Sequence, residues 1–367
     1  MSVSVCSNVP DHEEPQCFIS NGDPAKLTDT LLEYLLKIST KAFECLQQIY
    51  QPIVHILEEK IEKYNLETGK TDTPYKTMHQ SLMKWMKQLP VIGFNSGRYD
   101  LNAMKTAFFP SLLKQTKVEF VTKKQNSYMC LSSEGLRLLD MVSYLAAGTS
   151  YSKFLKAFNV EETKGFFPYE WCDDLRKLDF DKLPPHEAFF STLKNSNISP
   201  EDYSFCQRVW VEKGMQSMRD FLMWYNNGDT KPFLQAIEKM RVYYQSRNLD
   251  LFKDGISLPG LAMKDLFSNI DTFFTLPKTK DSDIYDILKR EMVGGPSVIF
   301  DRHQEVDVTK LRVHEFQEKA KVCKGVKGLH ATAFYLSYLM KEMPTGYYSR
   351  RKAEDVFELR HSHNYGQ

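Results

Sequence analysis

From Asp23 onward, apolar residues fall at Leu27, Leu31, Leu32, Leu35 and Leu36, the three- and four-residue spacing of one helical face. Asp23 ahead of Pro24 is a start signal: a side-chain acceptor at the cap and a preset φ at the first helical position. Pro52 interrupts the pattern and predicts a kink, or a division into two helices. The segment up to about Gly22 is polar and proline-containing, and reads as extended or loose. After the linker "NLETGKTDTP", a short helix is expected over roughly Tyr75 to Gln88. The apolar run "VIGF" then meets an Asn95-Ser96-Gly97 turn, and Asp100 stands at the mouth of the next helix.

Further along, "KVEFVTKKQNSYMCLSSEGLRLLDM" alternates β-type runs with polar turns, predicting a hairpin and a third strand that ends near Asp140. A mainly irregular, aromatic-rich stretch follows. Ser199, Pro200, Glu201 and Asp202 then open "SPEDYSFCQRVWVEKGMQSMRDFLMWYNN", which reads as one capped helix. "GDTKPFLQAIEKMRVYYQSRNLDLF" reads as a second. Near the C-terminus, "MVGGPSVIF" is a glycine turn feeding a strand, and "GLHATAFYLSYLMKEMPTGYY" a strand turning into a helix. No internal repeat or low-complexity tract appears.

The chain has 367 residues, 42% hydrophobic and 26% charged, with 13% aromatic, a globular composition with room for two or three domains. A net charge of +1 gives no whole-chain field for a polyanion, so a nucleic-acid site would be a local groove. The seven cysteines are scattered without a C-x-x-C pair. This disfavours a zinc module or a disulfide framework and points to a reducing, intracellular setting. No apolar run approaches the roughly 20 residues that cross a bilayer, and the N-terminus lacks the order of a signal peptide.

Two acidic positions carry candidate chemistry. Asp100 reads either as a helix-start residue favoured by the dipole or as a metal-binding carboxylate. In "MWYNNGDTKPF", Tyr225 precedes Asp229 by four residues, across an Asn-Asn-Gly turn. Two-metal phosphodiester hydrolysis needs converging carboxylates and a group that orients the attacking water, and a tyrosine hydroxyl beside an aspartate can supply that orientation. The plainer alternative makes Asp229 a cap and Tyr225 a packed aromatic.

"GFNSGRYD" followed by "YNNGD" resembles the second and third exonuclease motifs of family B DNA polymerases, closest to the protein-primed branch of viruses and Polinton/Maverick transposons. "SNGDPAKLTDTLLEYL", "FPYEW", "LPPHEAFF", "FKDGISLPGL" and "MVGGPSVIF" extend the likeness collinearly from about Cys17 to about Arg351. The resemblance implies an α/β fold: a ribonuclease H-like 3′-5′ exonuclease domain, a mixed sheet flanked by helices, joined to the start of a polymerase palm. It implies that Asp100 and Asp229 hold Mg²⁺ or Mn²⁺, Tyr225 positions water, and Asn95 and Tyr99 shape a single-strand site. Lys164, in "KGFF", would stabilise the anionic transition state. Asp140, in "LLDMVSYL", falls where the family places a single-strand contact, although Met141-Val142 replace the usual residues. Gly294 and Gly295 match a Tyr-x-Gly-Gly signature that approaches DNA, with Met292 in place of the tyrosine. Single-stranded DNA with a 3′ end, and a terminal protein primer, are the implied partners.

Three departures cut against activity. The family's Asp-x-Glu strand is absent upstream: Asp11 and Glu13 spell the pair, but Pro10 and Pro15 flank them and no apolar strand carries them. At polymerase motif A, Tyr335 matches, whereas His330 occupies the catalytic aspartate position, and imidazole is a poor ligand for a hard cation. The text after "MPTG" is too short for the rest of a palm and fingers. The expected organisation is an N-terminal helical part (residues 1–78), an exonuclease-like domain (79–250), and a connector with a truncated palm (251–367). The expected function is a fragment or degenerate copy of a replicative DNA polymerase, a nucleotidyltransferase by ancestry. The alternative is an inactive single-stranded-DNA-binding or interaction module using aromatics such as Phe166, Phe167, Tyr169, Trp171, Trp224 and Tyr225. Residual exonuclease action with Asp11 or Glu13 as a third acid, and a decaying element without a role, are further readings.

Overall fold

A computed structural model describes residues 1–161, 165–270 and 282–291, together with 303, 305–310, 322–325, 327 and 340–341. The chain divides into two units, 1–269 and 270–367.

The first unit opens with an antiparallel pair, β1 (Ser2–Val5) and β2 (Gln16–Ile19), in register Ser2↔Ile19 to Val5↔Gln16. The leader, expected to be extended or loose, is extended and paired. The Ser-Val-Ser-Val alternation puts Val3 and Val5 against the core, while Ser2 and Ser4 face polar partners. Helix α1 runs unbroken from Pro24 to Thr68, with Asp23 Oδ1 accepting from the backbone N–H of Ala25 and Lys26 at 3.0 and 3.1 Å. Pro52 therefore does not divide it. The residues around Pro52, from Gln47 to Ile49 and Gln51 to Ile53, are exposed, so the carbonyl left without an N–H partner can meet water. Gly69 ends the helix at φ 67°, the left-handed cap that glycine adopts without steric cost.

Helix α2 (Pro74–Lys87) starts at the Thr73 cap. It folds back on the distal half of α1, with Tyr50 edge-on to Trp85 at 5.4 Å and the Lys60 ammonium 5.2 Å from the Tyr75 ring centroid. Then come β3 (Leu89–Gly93), α3 (Asp100–Gln115), β4 (Val118–Lys124), β5 (Ser127–Ser133) and β6 (Leu136–Asp140). The sheet order is β3-β6-β5-β4. The last three strands form the expected meander, and β6 pairs in parallel with β3 from Leu89↔Leu136 to Gly93↔Asp140.

Alternation along the strands separates two cores. Leu89, Val91, Leu131, Leu136 and Leu138 pack with Leu31, Leu32, Leu35 of α1 and Met104, Phe108, Leu112 of α3. On the other face, Ile92, Cys130 and Leu139 pack with α4 (Tyr151–Ala157) and α7 (Thr230–Gln245). The unit is thus mixed α/β, a mixed sheet between helical layers. Each fully buried leucine in these layers contributes about 2 kcal/mol relative to an exposed one.

A third, aromatic cluster surrounds α5 (Pro200–Glu212) and α6 (Met218–Gly228), including Phe189, Met218, Phe221 and Trp224. The sequence reads α5 and α6 as one helix. Gly214, at φ 60°, and a capping box between Ser217 and Asp220 separate them. The Asn-Asn-Gly of "YNNGD" is the last turn of α6, not a loop. Helix α8 (Leu258–Ser268) ends this unit, with Leu261 buried in the second core.

In the second unit, α9 spans Ser282–Glu291, and an isolated bridge joins Lys310 to Val322. Among the described residues, no helix is long and apolar enough to cross a membrane.

Candidate functional site

The loop after β3 is built around an acid that the motif reading did not rank first. Asp140, at the C-terminal end of β6 and 3% exposed, accepts three backbone N–H groups. Its Oδ1 takes those of Asn95 at 2.8 Å and Val142 at 3.1 Å, and its Oδ2 takes that of Gly97 at 3.1 Å. Burial raises the Asp140 carboxyl above its ordinary pKa, and the N–H donors work against that rise. Asn95 turns the chain at φ 59°, a conformation asparagine tolerates. Gly97 has no room for a side chain, since a Cβ there would lie 1.9 Å from the Tyr128 carbonyl oxygen.

This clamp sets the start of α3. Asp100 is its first residue, and Tyr99 at the cap makes no side-chain capping bond. Asp100 is exposed at the rim, yet the protein crowded around its carboxyl, and secondarily the charge of Asp140, raise its pKa. Tyr99 is 59% exposed, with the Arg98 guanidinium carbon 5.7 Å from its ring centroid.

The second candidate acid stands at the junction of α6 and α7. Asp229 has φ −84° and ψ −20° and makes no side-chain bond that caps α7, and its carbonyl accepts the Tyr151 hydroxyl at 2.6 Å. The capping alternative for Asp229 therefore does not describe it. Tyr225 is 6% exposed, packed on Phe167 and Tyr169 with ring centroids at 5.6 and 5.7 Å. Burial raises its hydroxyl pKa, a hydrogen bond with Tyr169 opposes this, and the charge of Asp229 adds to it. Asn226 and Asn227 of the same motif tie α6 to the N-terminal strand: Asn226 Nδ2 donates to Ser2 Oγ at 2.7 Å, and Ser4 Oγ donates to Asn227 Oδ1 at 2.8 Å.

Asp100 and Asp229, distant in sequence, line one cavity of about 930 Å³. Its far end holds Trp85, Gln88, Asp250 and Lys253. Lys253 Nζ donates to the carbonyls of Trp85, at 2.8 Å, and of Gln88, and burial lowers its pKa to about 8 despite nearby Asp250. Asp250 Oδ2 accepts from Trp85 Nε1 at 2.9 Å. Asn95, Tyr99, Tyr225 and Asp140 are not among the cavity-lining residues.

Among the described residues, no group of three or more His, Cys, Asp or Glu side chains is placed to hold a divalent cation. Asp11 is instead paired with Lys41 at 3.0 Å, and neither Asp11 nor Glu13 lines the cavity. The described residues therefore do not fit a two-metal centre, which needs more carboxylates than Asp100 and Asp229 supply. Lys164, Gly294, Gly295, His330 and Tyr335 lie outside the described residues. Of the aromatics considered for base stacking, Phe166, Phe167, Trp171, Trp224 and Tyr225 pack into the interior, whereas Tyr169 is 64% exposed.

Asp140 and Lys253 were the positions that motif reading undervalued. The signal for Asp140 was an acid directly following the apolar run Leu138-Leu139. Nothing local marks Lys253. Comparison of the chain with family models, with curated proteins and with solved structures found no match.

Proposed function

We propose that this chain is a degenerate copy of the exonuclease-to-palm region of a family B DNA polymerase, of the protein-primed Polinton/Maverick kind. In this reading the first unit is a ribonuclease H-like domain, and the protein neither extends nor trims DNA. The observation that carries it is the shared cavity: the two acids of the two motif-like segments line the same space. The mixed sheet with a parallel β3–β6 pair and helices on both faces is compatible with such a domain. Loss of activity follows from the donor set, which among the described residues brings no three acids or other ligands together around one cation, and from His330 at the position that resembles a catalytic aspartate. Two carboxylates without further ligands do not hold a pair of cations in the geometry of in-line displacement. The test is a 5′-labelled single-stranded oligonucleotide incubated with Mg²⁺ or Mn²⁺. No shortening is expected, and shortening that disappears in Asp229→Ala would overturn the inactive reading in favour of a residual exonuclease.

A second reading, a single-stranded-DNA-binding module, is favoured by one observation. Tyr99, with Arg98 beside it, and Tyr169 both present exposed rings, the stacking platforms that unpaired bases use. It predicts oligonucleotide binding that weakens with salt and falls in Tyr99→Ala.

A further inference from the structure

The four-stranded sheet has a second edge, at the opposite end from β3. β4 pairs with β5 alone, and every residue of β4 but Val118 and Thr122 is exposed. Among the described residues, no hydrogen bond from outside the ladder with β5 reaches the backbone of residues 118–124, so alternate N–H and C=O groups face outward unpaired. Phe120 and Val121, 41% and 42% exposed, point to opposite faces of this edge. The register with β5 shifts at Val118/Phe120 and at Thr122/Lys123; between the shifts, Phe120-Val121-Thr122 pairs regularly with Ser132-Leu131-Cys130.

Charge decides what this edge can accept. From Thr116 to Leu136 the chain carries three bases, Lys117, Lys123 and Lys124, against two acids, Glu119 and Glu134. Both acids are engaged by α2 and its cap. Glu119 Oε1 pairs with Lys84 Nζ at 2.9 Å, and its Oε2 accepts from Gln88 Nε2 and Ser132 Oγ, each at 3.0 Å. Glu134 shares one cleft with Lys84 and Lys87. The three lysines of the edge are exposed. Lys123 lies over Tyr128, 3.9 Å from the ring centroid, a contact that leaves its charge in place. Among the described residues, no hydrogen bond or ion pair engages the ammonium of Lys117 or Lys124.

Lysines on an edge strand keep like edges apart. A second copy is disfavoured here for that reason, since pairing edge to edge would set the three lysines of one copy against those of the other while the glutamates stay with α2. A nucleic acid would answer the charge but has no peptide groups to complete a ladder. An acidic strand meets both conditions, with carboxylates for the lysines, peptide groups for the free backbone, and side chains to cover Phe120 and Val121. The charges that repel a like edge admit an unlike one.

We propose that the outer edge of β4 is a docking site for an extended acidic peptide, which adds one strand to the sheet. Its carboxylates stand against Lys117 at one end and against Lys123 and Lys124 at the other, and β-branched residues between them cover Phe120 and Val121. At about 3.4 Å per residue, the seven residues of β4 span about 24 Å, which sets the length of the bound segment. This inference depends neither on a polymerase ancestry nor on DNA binding at Tyr99.

The experiment uses the full chain and a fluorescein-labelled peptide, Glu-Glu-Val-Thr-Val-Thr-Val-Glu-Glu, read by anisotropy and by amide hydrogen exchange. Saturable binding is expected, weakening as salt rises, with exchange slowed in residues 118–124. Prolines in place of the central Thr-Val-Thr keep the charge but remove the ladder donors, and should weaken binding by at least about tenfold. Lysines in place of the glutamates should weaken it as much. Lys117→Glu combined with Lys124→Glu, both at exposed positions, should release the acidic peptide and take up the lysine one. If that variant does not fold, the proline peptide and the exchange pattern of the unaltered protein decide. Equal binding of the proline peptide would mark a plain charge patch and overturn the proposal, as would protection elsewhere than β4 or no binding by the acidic peptide. Two other occupants would also end it: a single-stranded oligonucleotide that displaces the peptide and itself protects residues 118–124, or self-association of the unaltered chain that protects them.

Discussion

The two sides of β3 present the same backbone to opposite situations. On one side, β6 satisfies the ladder, and its terminal Asp140 gathers the N–H groups of Asn95, Gly97 and Val142. On the other, the strand borders a cavity that Asp100 and Asp229 also line. All three are aspartates near the end of the same sheet or across from it. The closed side uses its acid to hold the fold, because a buried carboxylate needs donors and finds them in the loop it organises.

Four changes would sharpen or break this contrast. The largest effect is expected for Asp140→Ala, which strands three backbone N–H groups, that of Gly97 fully buried; urea denaturation should show a loss of about 3 kcal/mol or more. A loss below about 1 kcal/mol would mean that the clamp does not hold the loop. Gly97→Ala forces the new Cβ against the Tyr128 carbonyl and should cost about 3 kcal/mol. Because Gly97 and Asp140 are bonded to each other, the double variant should lose less than the two losses combined.

Lys253 gives the open side a pH signature. Its folded pKa of about 8 lies below the ordinary lysine value of about 10.4, so the unfolded chain binds the extra proton between these pH values. Stability should therefore rise as pH increases from 8 toward 10, and fall as pH drops through 8. Lys253→Met should flatten that slope in denaturation curves taken across the range. The smallest effect is expected for Asp100→Asn. The raised Asp100 pKa means that the folded state disfavours its charge, so removing the charge should stabilise slightly at pH 7, by about 0.5 kcal/mol or less at so exposed a site. That gain should vanish below pH 4, where both folded and unfolded forms are protonated. A clear destabilisation at neutral pH would instead give Asp100 a structural task like that of Asp140.

Helix starts were legible because their signals are local. Asp23-Pro24 and Ser199-Pro200 each cap a helix where the sequence puts one, and the meander from Val118 to Asp140 follows its alternation. Errors came where one local signal was overruled by context. Pro52 sits on a solvent-facing arc of α1, where a missing hydrogen bond is tolerated. Asn226 and Asn227 look like turn formers but stay helical, their side chains bonded to Ser2 and Ser4. The leader's four-residue strand was too short to stand out beside its prolines, and it is held by residues more than 200 positions away.

The sequence by itself determined where α1 and α5 begin and how the strands from Val118 to Asp140 alternate, since those follow from periodicity and from caps a few residues long. Only the tertiary structure decided the fate of each acid. Whether an acid is saturated by backbone donors, as Asp140 is, or belongs to the lining of a cavity, as Asp100 and Asp229 do, depends on which strand edge is covered. That is a long-range pairing, and no local pattern encodes it.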